Sequence, residues 1–154
     1  MNKFVILAAA GLLTGPAFAD GHASGDAEAG EKVFNQCQSC HIIKTDDGEV
    51  LAGRSARTGP NLYGIPGSPA GSKDFRYGKG IEEAADMGLV WNEETFVKYV
   101  MDPTGYLREF TGNDGARGKM SFKLRKEEDA VNVWAFIASV SPEPEGEGKA
   151  DPES

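Results

Sequence analysis

The stretch FNQCQSCHIIK, Phe34 to Lys44, holds both cysteines of a 154-residue chain and one of its two histidines. Two thiols and an imidazole this close can clip a metal, form a redox disulfide or hold a covalently attached haem. Cys37, Cys40 and His41 stand at i, i+3 and i+4, so on a helix all three would project from one face. That geometry lets two thiols reach the vinyl groups on one porphyrin edge while the imidazole approaches the iron, and C-x-x-C-H is the attachment signature of c-type haem. Structural zinc needs four ligands, and His22 is the only other soft ligand in the chain. A thioredoxin-like disulfide needs parallel βαβ units, for which there is no strand pattern. An exported chain forms disulfides by default, but a bridge across three positions closes too small a loop to stabilise a domain.

An attached haem makes the second axial ligand decisive. Met1 leaves with the leader described below, Met87 sits in EEAADMGLVW, and Met101 falls in a helical run where an apolar residue is ordinarily core. Met120 lies instead in GARGKMSF, a glycine-rich stretch with no helical period to bury it, and is the favoured ligand. A histidine and methionine pair raises the reduction potential and suits electron transfer rather than oxygen or peroxide chemistry.

The elements that must position these groups begin after a leader. MNKFVILAAAGLLTGPAFA has a lysine near its start, an apolar run from Phe4 to Leu13 and a small-x-small end, so residues 1–19 read as a cleaved signal peptide and the protein as periplasmic. The run is far short of the roughly 20 apolar residues of a membrane span. Removing 19 residues leaves 135 with 15 basic and 24 acidic side chains, a formal charge of −9. That balance argues against nucleic acid as a partner. Residues 20–25 read as a flexible segment, 26–140 as one folded domain and 141–154, SPEPEGEGKADPES, as an acidic disordered tail, because neither end can bury enough apolar surface to offset ordering.

Three segments of the domain carry helical spacing. The first runs from an Asp26 N-cap to about Cys40, with Gly30, Val33, Phe34 and Cys37 on one face. The second is WNEETFVKYVMDP, capped by Asn92 and ended by Pro103. The third is KEEDAVNVWAFIASVSP, with Ala130, Val133, Trp134 and Ile137 along one stripe. Between them lie two long stretches rich in glycine and turn residues, which carry Tyr63, Phe75, Tyr77, Tyr106 and Phe110. Loops of that length are functional or wrapped around something, and three modest helices make a thin core unless a large apolar ligand completes it.

The ordered motifs AGEKVFNQCQSCH, RTGPNLYG, FRYGKG, VWNEETFVKYVMDP and GKMSF cover nearly all of residues 26–140. The chain thereby resembles the class I c-type cytochromes, most closely the bacterial periplasmic cytochromes c2 and c550. The resemblance implies a small, mainly α fold of a few helices and long loops wrapped around one covalently bound haem c, with the first and last helices crossing. It implies thioether bonds at Cys37 and Cys40, axial ligation by His41 and Met120, and a Pro60 carbonyl that fixes the histidine ring. It further implies that Tyr77, Trp91 and Tyr99 reach a haem propionate or the methionine side, and that Gly30 and Phe34 form the helix crossing against Val133 and Phe136. Trp134 reads as core. Two positions depart from the family: Ser68 stands where relatives carry an arginine near a propionate, which should lower the potential, and Gly118 where mitochondrial relatives carry a hydroxyl.

The function so implied is that of a monomeric one-electron carrier and not an enzyme. Arg117, Lys119, Lys123, Arg125 and Lys126 surround Met120 with no acid among them, a basic run read as a docking patch for acidic surfaces of membrane redox complexes. Arg57 and Lys44 extend it. A donor of the quinol-cytochrome c reductase type fits, with an oxidase, a photosynthetic reaction centre or a nitrogen-oxide reductase as acceptor. Two alternatives stand beside this one: a haem enzyme or gas-binding protein with an open sixth site, and an electron-delivering subunit of a larger complex.

Overall fold

The computed structural model describes residues 23–144. The expected signal peptide, residues 20–22 and the expected acidic tail from residue 145 onward lie outside the described residues. The elements in order are α1 (Ala27–Phe34), β1 (Ile43–Lys44), β2 (Val50–Ala52), α2 (Lys79–Asp86), α3 (Glu93–Met101), α4 (Pro103–Thr111) and α5 (Glu127–Val140). The fold is mainly α, as expected, with one small antiparallel hairpin in which Ile43 faces Ala52 across an irregular register.

Capping explains where the helices begin. Asp26 accepts hydrogen bonds from the Glu28 and Ala29 amides at the head of α1. Asn92 and Thr95 form a reciprocal capping box at α3, each side chain serving the other's backbone N–H. Asp102 ends α3 and caps α4 by accepting from the Gly105 amide, with Pro103 in the first turn where its missing N–H costs nothing.

Three expectations are corrected. The first helix stops at Phe34 and not near Cys40, because the chain tightens into i→i−3 bonds, Gln36 N–H to the Val33 carbonyl at 3.0 Å and Cys37 N–H to that of Phe34 at 2.8 Å. The Asn35 side-chain amide also donates to the Lys32 carbonyl and closes the end. The helices number five among the described residues, not three: α4 occupies a stretch expected to be a loop, with Tyr106 and Phe110 in it, and α2 lies where no helical spacing was read. Both are short and interrupted by glycine, and each buries only a couple of apolar side chains, Ile81 and Ala84 in α2 and Tyr106 and Leu107 in α4, so they depend on tertiary packing. Gly80 of α2 shows this directly, since a Cβ there would lie 2.7 Å from the Arg117 carbonyl oxygen. The third correction concerns only residues 23–25, the described end of the segment expected to be flexible, where Ser24 N–H donates to Glu93 at 2.6 Å and ties the chain to α3.

The core falls into two clusters. One gathers Phe34, Phe96, Val133, Trp134, Phe136 and Ile137 where α1 and α3 pack on α5. Trp134 is core as expected, 5.1 Å from the Phe96 ring between centroids. The other joins α2 to α4 through Ile81, Leu89, Tyr106 and Leu107. Trp91 and Tyr99 pack against both clusters and so form the wall between them. Full burial of Phe34 alone stabilises the α1 to α5 contact by about 2–3 kcal/mol. A large cleft lies between these layers.

Candidate functional site

The Cys37–His41 turn enters the cleft directly after α1. Cys40 and His41 both donate their amides to the Cys37 carbonyl, at 3.1 and 2.9 Å, so the two thiols and the imidazole share one tight turn. Gly59 N–H donates to the Cys40 carbonyl at 2.8 Å and brings the Thr58–Pro60 loop alongside. His41 Nδ1 then lies 2.9 Å from the Pro60 carbonyl oxygen. A carbonyl can only accept, so Nδ1 carries the proton and the Nε2 lone pair is left free as a ligand. Burial lowers the His41 pKa against a smaller opposing effect of this hydrogen bond, which favours the neutral ring that a metal needs.

Gly59 is a site residue that the sequence reading did not single out. A Cβ there would meet His41 Cε1 at 2.5 Å and Nδ1 at 2.7 Å, so the backbone lies flat against the imidazole. The signal was available as the glycine before proline in TGPNL.

The Cys37 thiol is chemically quiet in the free chain. Burial, with a smaller contribution from Cys40, pushes the Cys37 thiol up to about 11. Redox cysteines need the opposite, an electropositive setting that favours the thiolate.

Met120 lines the same cleft from the irregular segment between α4 and α5, together with Lys119, Ser121 and Phe122. Met101 packs against the first core cluster, as Met120 also does, but it does not line the cleft, and Met87 is 55% exposed on the surface. Tyr77, Trp91 and Tyr99 line the cleft, with Trp91 and Tyr99 edge to face at 5.1 Å. Burial raises the Tyr77 pKa and pushes that of Tyr99 up to about 12, so both phenols are neutral donors at physiological pH. Ser68 also lines the cleft, but its hydroxyl proton is already given to the Ile65 carbonyl at 2.8 Å. Gly118 lies nearby, its amide 3.4 Å from Thr104 Oγ1.

The cleft has a volume of about 250 Å³ and opens to solvent, between apolar walls that include Leu62, Ile65, Phe96, Val100, Leu124 and Val133. Two thiols at one edge, a free imidazole nitrogen, a thioether and a few phenol donors are a donor set that fits a flat, mostly apolar macrocycle with an iron centre and an acidic rim. Arg117, Lys123, Arg125 and Lys126 stand exposed outside the lining, and Lys44 and Arg57 are exposed as well.

No family model matches the chain. Individual relatives do. Cytochrome c2 of Cereibacter sphaeroides is 57% identical over 122 residues, 78% of this chain and 98% of that protein. The chain belongs to the class I c-type cytochromes. Cytochrome c-550 of Paracoccus denitrificans is 43% identical over 129 residues, 82% of this chain and 81% of the relative. The solved structure of cytochrome c2 from Rhodobacter sphaeroides superposes with a TM-score of 0.76 at 56% identity, over 79% of this chain and 100% of that one. This cytochrome is therefore an electron-transfer protein and not an enzyme, and it carries one covalently attached haem c, with Cys37 and Cys40 in the C-x-x-C-H position.

Proposed function

We propose that the chain is a periplasmic shuttle whose haem is bound through Cys37 and Cys40 and ligated axially by His41 and Met120. The observation that carries this reading is one cleft lined by both the oriented, neutral His41 ring and the thioether of Met120. When bound, the haem supplies an iron that takes up and returns one electron. The chain does the rest. Pro60 and Gly59 hold the imidazole plane, the apolar walls exclude water, and Tyr77, Trp91 and Tyr99 offer neutral donors to the acidic rim.

Arg117, Lys119, Lys123, Arg125 and Lys126 form the docking face, which steers acidic surfaces of a quinol-oxidising donor and of an oxidase, reaction centre or nitrogen-oxide reductase. Export to the periplasm rests on the N-terminal leader. No helix among the described residues is long and apolar enough to cross a membrane.

The visible spectrum tests the ligation. A weak long-wavelength sulfur-to-iron band in the oxidised protein, with no spectral change when carbon monoxide meets the reduced form, is the expected result. Carbon monoxide binding to the reduced protein would sink it and favour a haem protein with an open sixth site.

A further inference from the structure

Met120 sits in a segment with few bonds of its own. Among the described residues, no backbone amide from Lys119 to Lys123 finds a hydrogen-bond acceptor; the flanking amides do, Gly118 to Thr104 Oγ1 at 3.4 Å and Leu124 to the Val100 carbonyl at 2.9 Å. The residues on either side of the thioether are instead held through their side chains.

Lys119 Nζ donates to the Arg76 carbonyl at 2.6 Å and lies 5.8 Å from the centre of the Phe75 ring. Its stem runs over Gly78, where a Cβ would come within 3.1 Å of Lys119 Cγ. Lys123 Nζ pairs with Asp102 Oδ1 at 2.6 Å, and the same oxygen caps α4 by accepting from Gly105. The two lysines thus tie the segment to two separate parts of the fold, the strip before α2 and the junction of α3 with α4.

We propose that Lys119 and Lys123 act as positioning residues, two tethers that hold the Met120 segment closed and set how readily its thioether leaves the iron, the second through Asp102. This rests on Met120 being the axial ligand. Each tether is partly exposed, so each contributes modestly. Loss of one should raise the affinity of a displacing ligand about fivefold.

The test titrates the oxidised holoprotein with imidazole, which must displace the thioether to bind, and follows loss of the sulfur-to-iron band. Lys119→Met keeps the stem and removes the donor. Asp102→Asn keeps a capping oxygen and removes the charge, so α4 is spared. Each variant is expected to bind imidazole about fivefold more tightly and the double variant by about the product, with Lys119→Arg within about twofold of the parent. No protein partner enters the assay, so a docking role cannot produce the shift. Parental affinity in both Lys119→Met and Asp102→Asn overturns the tethers. A parent protein with no such band overturns the ligand assignment and the tethers together.

Discussion

Gly30 of α1 lies directly against Asn132 of α5: a Cβ on Gly30 would overlap the Asn132 carbonyl oxygen and come within 2.9 Å of Phe136 Cβ. One turn later in α1 the rings of Phe34 and Phe136 pack at 5.5 Å, tilted by 57°. The crossing of the first and last helices is therefore backbone against backbone at one point and ring against ring at the next. Gly30→Ala cannot be absorbed by a rotamer change, because the obstacle is main chain. We expect a loss of about 1–3 kcal/mol in denaturant unfolding, with the midpoint lowered and the slope unchanged.

The same arithmetic applies at Gly59, but there the cost falls on the site. Its missing Cβ would lie 2.5 Å from His41 Cε1, so Gly59→Ala must push either the imidazole or the loop that carries the Pro60 carbonyl. The free Nδ1 that results loses its acceptor, and the ring loses its fixed plane. We expect a higher reduction potential, because an imidazole without that acceptor donates less to the oxidised iron, or a lower yield of haem-bearing protein, measured by redox titration and by the mass of the purified chain. A variant identical to the parent in both would show that the loop moves without disturbing the ring.

What was legible in the sequence was what local chemistry dictates. Asp26 and Asn92 announce their helices by capping, and Val133, Trp134 and Ile137 announce α5 by their stripe. The C-x-x-C-H motif stands out because cysteines are scarce, and Met120 because it sits in a glycine-rich stretch with no helical period. The hidden parts depend on partners far away in the chain. Lys79–Asp86 has no capping side chain and no wide apolar face, so α2 is set by its packing on α4 and on the Arg117 backbone. Pro103 looked like a stop and is a start, because Asp102 serves two helices at once. The tethers on Lys119 and Lys123 were unreadable for the same reason, since their acceptors are 43 residues upstream in one case and on the α3 to α4 junction in the other.

Ser68 offers a test of charge at the cleft. Its hydroxyl is spent on the Ile65 carbonyl, so it gives the acidic rim of a bound haem neither a proton nor a positive charge. Ser68→Arg introduces a fixed cation that favours the ionised rim and disfavours the extra positive charge of the oxidised iron. The potential should rise. A partly screened charge interaction of about 1 kcal/mol corresponds to about 40 mV for a one-electron couple. A fall on redox titration would count against this account of the position.

The proposed docking face predicts a dependence on salt. Arg117, Arg125 and Lys126 are exposed and have no ion pair among the described residues, whereas Lys123 already shares its charge with Asp102. Changing Arg117, Arg125 and Lys126 to glutamine should slow electron exchange with a membrane quinol-oxidising fraction at low ionic strength and flatten the salt dependence. Lys123→Gln should do less than any of these. Stopped-flow kinetics at two salt concentrations decides it, and an equal effect of Lys123 would argue that its pair with Asp102 opens during encounter.

Tyr99 predicts an alkaline limit to stability. Burial pushes its phenol up to about 12 from the ordinary value of 10, with a smaller contribution from Tyr77. Between those two values the unfolded chain releases the proton and the folded one keeps it, so ionisation draws the protein toward unfolding. Stability is complete below pH 10 and falls as the pH rises through 12. The loss attributable to this residue is about 2–3 kcal/mol, two units at 1.36 kcal/mol each. Tyr99→Phe has no proton to lose. Its unfolding free energy, followed by denaturant titration from pH 9 to pH 12, should decline less steeply than the parent's by that amount, although the lost hydroxyl shifts the whole curve. Parallel curves for the two proteins would mean that the Tyr99 phenol ionises as freely inside the fold as outside it.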